Sequence, residues 1–165
     1  MTHNIFSNYP DLAKIWVYQS ARELNPAEES AINEKLIDFT ENWDSHGSIV
    51  KSEAVILYKR FIVLLADDTE DRLCGSAGDR SLQFFKALDA EFNLSLMDRM
   101  IVSYRKGEEI LSTNINDFRD LIKSGDVDEN TIVFNNVITT KADFENKWEV
   151  SIKDSWHKQL IELAV

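Results

Sequence analysis

Hydrophobic positions change their spacing several times along this chain, and each change predicts a different element. Residues 14–19 (KIWVYQ) are rich in β-branched and aromatic side chains, which is typical of a strand. Residues 53–66 (EAVILYKRFIVLLA) contain many Val and Ile residues and no 3.6-residue stripe, which favours two antiparallel strands with a tight turn over one helix. Residues 98–105 (DRMIVSYR) predict a fourth strand.

Two helices are predicted between these strands. The first begins after Asn25, which can cap the helix while Pro26 takes the first helical position and Glu28 reaches back to the cap amide. Gly47 is expected to end this helix. The second helix is expected to end near Asn93 and to turn four apolar side chains inward: Leu82, Phe85, Leu88 and Phe92.

The resulting order, β-α-β-β-α-β, predicts an α+β fold with a ferredoxin-like core over residues 1–106, whose sheet buries one face under both helices. Residues 107–165 predict a C-terminal β/α extension. No linker or repeat separates the two parts, so we expect a single domain over residues 1–165. The predicted elements of the extension are a strand at 109–111, a helix capped by Asn114 or Asn116 and ended by Gly125, a strand at 131–134, a helix start at Thr140 and Asp143, and a helix at 153–163 that buries Trp156, Leu160 and Leu163.

Composition narrows the classes of protein. The chain has 165 residues, is 44% hydrophobic and contains one cysteine, so it can bury a core and forms no internal disulfide. We find no signal-peptide pattern at the N-terminus, and the longest apolar run is 61–66, so we expect a cytoplasmic protein. A formal charge of −11 opposes binding to nucleic acid or to anionic membranes.

Standard chemical motifs are absent from the sequence. It contains no G-x-x-x-x-G-K-[ST] phosphate loop, no G-x-G-x-x-G fingerprint and no C-x-x-C pair. The histidines His3, His46 and His157 lie far apart, and a structural zinc site needs four nitrogen or sulfur ligands. We therefore expect no cofactor.

Residues 74–81 (CGSAGDRS) form the first candidate site, between an apolar strand and the second helix. Small residues let a ligand approach the backbone, and the amides of a helix start attract anions, with Arg80, Ser76 and Ser81 as further donors beside Asp79. Cys74 becomes an activated thiol if the helix start lowers its pKa. A structural interpretation, with Ser76 or Asp79 as the helix cap, is favoured because such turns are common before helices.

Two further candidate sites are weaker. Asp67, Asp68, Glu70 and Asp71 could hold Mg²⁺ or Ca²⁺ through oxygen ligands, but their spacing does not match an EF-hand loop, and a solvated acidic loop is the favoured interpretation. His46, near Asp44, is a candidate general base, although a histidine near a helix end is also favourable for structural reasons alone.

Eight segments carry a resemblance to a known family: Trp16-Val17-Tyr18-Gln19-Ser20, Trp43, His46-Gly47, Arg60-Phe61-Ile62, Asn130-Thr131-Ile132-Val133-Phe134-Asn135-Asn136, Thr139-Thr140-Lys141, Trp148-Glu149-Val150 and Ser155-Trp156-His157. Through them the chain resembles a group of short bacterial proteins that often carry the label "ABC transporter ATPase". In that family the loop before the second helix tends to read Gly-Cys-Ser-Ile-Asp. Here Asp79 matches, Ser76 holds the cysteine position, and Cys74 lies two residues earlier. The label itself does not fit, because an ATPase of that kind needs a Walker A loop, which this sequence lacks.

Two functional hypotheses follow. The first is a non-enzymatic module that binds a small molecule or a protein partner, with homodimerisation through the open sheet face as one form of it. The second is an enzyme acting on a small anionic metabolite, phosphorylated or carboxylated, at residues 74–81, with Asp79, Arg80 and Ser81 near His46 or the acidic loop. A concave pocket with convergent polar groups is needed for the second.

Overall fold

The computed structural model describes residues 4–164 and confirms a mixed α+β class, with 38% helix, 26% strand and antiparallel sheets. No helix among these residues is long and apolar enough to cross a membrane. The strands are β1 (Lys14–Gln19), β2 (Asp44–Ser45), β3 (Ser48–Ile49), β4 (Ser52–Leu57), β5 (Phe61–Ala66), β6 (Ile101–Lys106), β7 (Glu109–Asn114), β8 (Ile132–Phe134) and β9 (Glu149–Ser151). The helices are α1 (Pro26–Asn42), α2 (Gly75–Phe92), α3 (Ile115–Ser124), α4 (Lys141–Lys147) and α5 (Lys158–Ala164).

A three-stranded antiparallel sheet in the order β1-β5-β4 forms the centre of the fold. The two strands predicted in 53–66 are confirmed, and the turn between them places Tyr58 and Lys59 at a φ of 54° each. Every residue of β5 is buried. Helices α1 and α2 cover one face of this sheet, where Ile62, Leu64 and Phe85 belong to the apolar cluster.

The start of α1 is confirmed, because Asn25 and Glu28 form the predicted capping box. The predicted end at Gly47 is wrong. Trp43 already leaves the helical conformation, and Gly47, at a φ of 80°, makes the turn between β2 and β3 instead. The end of α2 at Asn93 is confirmed, with Asn93 in the left-handed conformation.

A second sheet has the strand order β7-β6-β8-β9. It contains β6, the strand that a ferredoxin-like fold would place beside β1. Within residues 4–164, β6 pairs with β7 and β8 and not with β1, so the ferredoxin-like topology is not confirmed. Helices α3 and α5 pack on this second sheet, around Val102, Phe118 and Leu160. The strand that ends at residue 106 therefore pairs with strands of the predicted extension.

The other face of the central sheet is covered by the chain itself. Ile15, Phe61 and Val63 pack there against Phe134 and Trp148 from the C-terminal part of the chain. The expectation of one open sheet face is wrong, because β5 is apolar on both sides and needs cover on both. Homodimerisation stays a prediction, but this face of the central sheet is covered by the chain itself and is not available as the interface.

Two helices differ from the expectation based on their hydrophobic pattern. In α2, Leu82 was expected to point inward but is 39% exposed, while the neighbouring Ser81 is only 5% exposed. The predicted helix at 153–163 is divided into a short 3₁₀ turn (Ile152–Asp154) and α5, and Leu163 is exposed while Leu160 is buried.

Candidate functional site

A short hairpin, formed by β2 and β3, lies against the start of α2. The Trp43 indole N–H donates to the Ala77 carbonyl over 2.9 Å, and the Cys74 amide donates to the Ser45 hydroxyl, also over 2.9 Å. His46 adopts a φ of 54° in the hairpin turn. Two candidate segments that lie far apart in the sequence are therefore neighbours in the fold.

Cys74 is the N-cap of α2, so the helix begins earlier than predicted and neither Ser76 nor Asp79 is its cap. The thiol is half-buried, and its Sγ accepts the Ala77 amide over 3.4 Å. Hydrogen bonds from the Ser45 hydroxyl, then from the amides of Ala77 and His46, lower the pKa of Cys74 to about 7. Since the thiolate is the nucleophilic form, a large fraction of this thiol is reactive at neutral pH.

Arg80 holds the hairpin to the helix. Its guanidinium donates to the Ser76 hydroxyl over 2.8 Å and to the Asp44 carbonyl, and it lies 3.1 Å from the Asp44 carboxylate. These contacts engage both terminal nitrogens of Arg80, a residue predicted to donate to a ligand. Because the Arg80–Asp44 pair is about half exposed on both sides, its contribution to stability is modest.

The remaining predicted ligand residues of this segment do not converge. Ser81 points inward, and its hydroxyl donates to the Gly78 carbonyl over 2.8 Å. Asp79 is exposed, and its side chain makes no hydrogen bond or ion pair within the described part of the chain. Gly75 and Ser76, at the first two helical positions, contribute main-chain amides that have no partner within residues 4–164.

His46 is not oriented as a general base through its Nε2 atom. This nitrogen lies 3.1 Å from the Arg72 carbonyl oxygen and 4.0 Å from the Asp71 carboxylate. A carbonyl oxygen only accepts hydrogen bonds, so Nε2 carries the proton. The ring contributes to positioning the 71–74 segment.

The acidic loop does not assemble a metal site. Asp67 accepts hydrogen bonds from Thr69, which lower its pKa, and Asp68 turns away to pair with Lys14 at 3.1 Å. Asp71 lies near His46 instead. No group of three or more potential ligands is arranged for a metal ion among residues 4–164.

A cavity of about 260 Å³ lies between the hairpin and the loop that precedes α2. Ser45 belongs both to this cavity and to the hydrogen-bonded surroundings of Cys74. A larger groove of about 350 Å³ lies between α1 and α2, but no cysteine or histidine lines it. The residues lining the first cavity are Ser45, Ser48, Ile49, Val50, Lys51, Asp67, Glu70, Asp71 and Leu73.

Ser45, Ser48 and Lys51 were not identified from the sequence. The hairpin strands contain two residues each and are partly polar, so they leave no alternating pattern that indicates a strand. The Asp-Ser-His-Gly segment at 44–47, with its glycine, was the available turn signal.

Comparisons with protein-family models, with curated proteins and with solved structures find no match for this chain. The resemblance to the short bacterial proteins labelled as transporter ATPases stays a prediction. Functional reasoning therefore depends on the chemistry of the site.

Proposed function

We propose that the chain is a small-molecule-binding module and that its ligand occupies the cavity beside Cys74. One observation carries this proposal: Ser45 lines the cavity, and its hydroxyl accepts the main-chain amide of Cys74 over 2.9 Å. Cys74 therefore lies beside the cavity without lining it, and it directly follows the lining residue Leu73 in the chain. A volume of about 260 Å³ lies just below the roughly 300–1,000 Å³ of drug-sized pockets, which favours a small metabolite.

Charge favours a ligand with a cationic group. Asp67, Glu70 and Asp71 line the cavity, against the single amine of Lys51. Burial and then nearby carboxylates raise the pKa of Tyr9, whose ring lies under the Lys51 amine, to about 12. The anionic ligand expected from residues 74–81 is less favoured, because Asp44 neutralises Arg80.

The second candidate function is an enzyme that uses Cys74 as its nucleophile. The pKa of about 7 favours this function, because the thiolate can attack an electrophilic carbon of the bound ligand at neutral pH. The Nε2 proton of His46 is directed to the Arg72 carbonyl, and within residues 4–164 no hydrogen bond joins the His46 ring to the thiol. Binding is therefore the leading proposal and catalysis the second.

A thermal-shift screen against amines, amino acids, nucleotides, phosphosugars and carboxylates tests the binding function. A ligand at 100 times its Kd adds about 2.7 kcal/mol, a rise on the order of 5–10 °C for a domain of this size. The matched variants are Ser48→Trp, which fills the cavity from an exposed position, and Ser30→Trp, on the exposed side of α1.

A ligand shift that persists in Ser30→Trp and disappears in Ser48→Trp supports the proposed site. An equal shift in both variants contradicts it. A covalent adduct on Cys74 with that ligand, detected by intact mass and lost in Cys74→Ser, favours the enzyme over the binding module.

A further inference from the structure

Arg60 lies in a polar layer between the two sheets, apart from the cavity beside Cys74. The residue immediately precedes β5 and is 8% exposed, and two neighbouring polar residues, Ser20 and Ser103, are each 1% exposed. Buried charges in proteins are usually paired with opposite charges. The partners of this guanidinium are therefore informative.

All hydrogen-bond partners of the Arg60 side chain are neutral. Its Nη1 donates to the Ser112 hydroxyl over 3.0 Å and its Nη2 donates to the Ile110 carbonyl over 3.2 Å. Ser103 donates to the Gln19 side-chain oxygen over 2.7 Å, so the Ser112 hydroxyl, 2.8 Å from Ser103, is the donor in that pair. This chain of neutral groups accepts hydrogen bonds from Arg60 without balancing its charge.

No acidic side chain lies within 4.0 Å of Arg60 in residues 4–164, and its buried Nε has no hydrogen-bond partner there. Burial lowers the pKa of Arg60, and Glu23 is the carboxylate that partly opposes this effect. Arg105 differs, because it pairs with the buried carboxylate of Glu149 and lies over the Tyr58 ring.

We propose that Arg60 binds an oxyanion, a carboxylate or a phosphate group, that a ligand supplies between the 20–24 loop, the 57–60 turn and β7. An uncompensated buried cation is costly, and an incoming oxyanion removes that cost. The planar guanidinium matches the geometry of carboxylate and phosphate oxygens, which distinguishes these ligands from chloride. The Nε is shielded from water, so binding requires a small displacement of the neighbouring loop or turn.

This oxyanion site is independent of the small-molecule site. None of the residues that contact the Arg60 side chain lines the cavity beside Cys74. The two sites also have opposite charge preference, since carboxylates outnumber the amine in the cavity. A result that contradicts one proposal therefore does not contradict the other.

Nuclear magnetic resonance of the arginine Nε–H groups tests the proposal on the full, unmodified chain. Sodium phosphate and sodium acetate are titrated separately at constant ionic strength, with sodium chloride as the balancing salt. We expect the Arg60 Nε signal to move and saturate with at least one oxyanion. An acetate response indicates a carboxylate ligand, and a response to phosphate alone indicates a phosphate ligand.

Melting temperatures of two variants give the second measurement. Arg60→Lys loses the fork geometry, and Arg119→Lys is the control, because the Arg119 Nε is also buried without a partner but its side chain is only half-buried. We expect the oxyanion to raise the melting temperature of the wild type and of Arg119→Lys relative to chloride, and not of Arg60→Lys. An Arg60 signal that does not move with either anion overturns the proposal, even if Arg60→Lys fails to fold. An equal thermal response in both variants also overturns it.

Discussion

Cys74 and His157 occupy equivalent positions at the starts of two helices but lie in different electrostatic environments. Each lies directly before the first residue of a helix, α2 or α5, and each donates its main-chain N–H to a nearby serine hydroxyl, Ser45 or Ser155. The Ser155 hydroxyl also lies 2.8 Å from Nδ1 of His157, and the Ser45 hydroxyl is the largest cause of the low pKa of Cys74. Both pKa values lie below their ordinary range, at about 7 for Cys74 and about 4 for His157.

The two pKa values are low for different reasons, and these reasons lead to opposite conclusions about reactivity. Hydrogen-bond donors around the half-exposed Cys74 stabilise its charged form, the thiolate. Burial destabilises the charged form of His157, which is 1% exposed and stacks on Trp156 with a ring-centroid distance of 3.9 Å. A low pKa therefore indicates a reactive group at the start of α2 and a packed, neutral group at the start of α5.

The largest expected effect is the acid sensitivity caused by His157. Its folded pKa of about 4 lies below the unfolded value of about 6.5, so the unfolded chain takes up the proton first as the pH falls. The free energy of unfolding should drop by roughly 2 kcal/mol between pH 7 and pH 5 and about 3 kcal/mol in total by pH 4. Urea denaturation at several pH values measures this drop.

His157→Gln should remove most of that pH dependence, while His46→Gln should retain it. The interval between pH 7 and pH 5 is informative because ordinary carboxylates stay ionised through most of it. The same slope in wild type and His157→Gln would contradict the assignment of the buried neutral imidazole.

Substitutions of Ser155 and of Ser45 are expected to differ in their effect, the first on stability and the second on thiol reactivity. In Ser155→Ala the buried His157 ring loses its 2.8 Å hydrogen bond, and we expect a loss of about 2 kcal/mol in unfolding free energy at pH 7. Chemical denaturation measures the loss, and Ser30→Ala, on an exposed helix surface, is the control. A loss below about 0.5 kcal/mol would show that the hydrogen bond is not needed at this position.

Ser45→Ala should act on reactivity instead. Removal of the hydroxyl raises the pKa of Cys74, so the rate of its alkylation by iodoacetamide at pH 7 should fall roughly fivefold. Ser81→Ala is the matched control, since the Ser81 hydroxyl is bonded to the Gly78 carbonyl. Equal rates in Ser45→Ala and wild type would show that Ser45 does not control the thiol.

Arg80→Met should have the smallest effect. The Arg80–Asp44 pair is exposed, so we expect the unfolding free energy to change by no more than about 0.5 kcal/mol and the Cys74 alkylation rate to stay unchanged. Denaturation and alkylation measured on the same sample check both. A change above about 1 kcal/mol would show that the pair contributes more to stability than its exposure indicates.

Local signals in the sequence predicted much of the fold. Asn25 and Glu28 predicted the start of α1, and the β-branched composition of 53–66 predicted two strands. The pairing of β6 with β8 was not predictable from local pattern, because it joins residues far apart in the sequence. The predicted order of elements, β-α-β-β-α-β, is compatible with pairing of β6 either with β1 or with β8.

The candidate site was predicted in part. An activated Cys74 at a helix start was one of the open hypotheses, but the main cause of its low pKa, Ser45, lies 29 residues earlier in the chain. The start of α2 was placed too late because cysteine is not among the usual capping residues. The expected role of Asp79 came from sequence proximity alone, and the structure does not bring it to the cavity.

The most direct test of the reactive start of α2 is the pH profile of Cys74 alkylation in the folded, full-length chain. The rate with iodoacetamide, followed by intact mass between pH 5 and pH 10, should rise with a midpoint near pH 7. The same chain unfolded in urea should give a midpoint of about 8.5. Equal midpoints in the folded and unfolded chains would contradict the account and leave Cys74 as a helix cap.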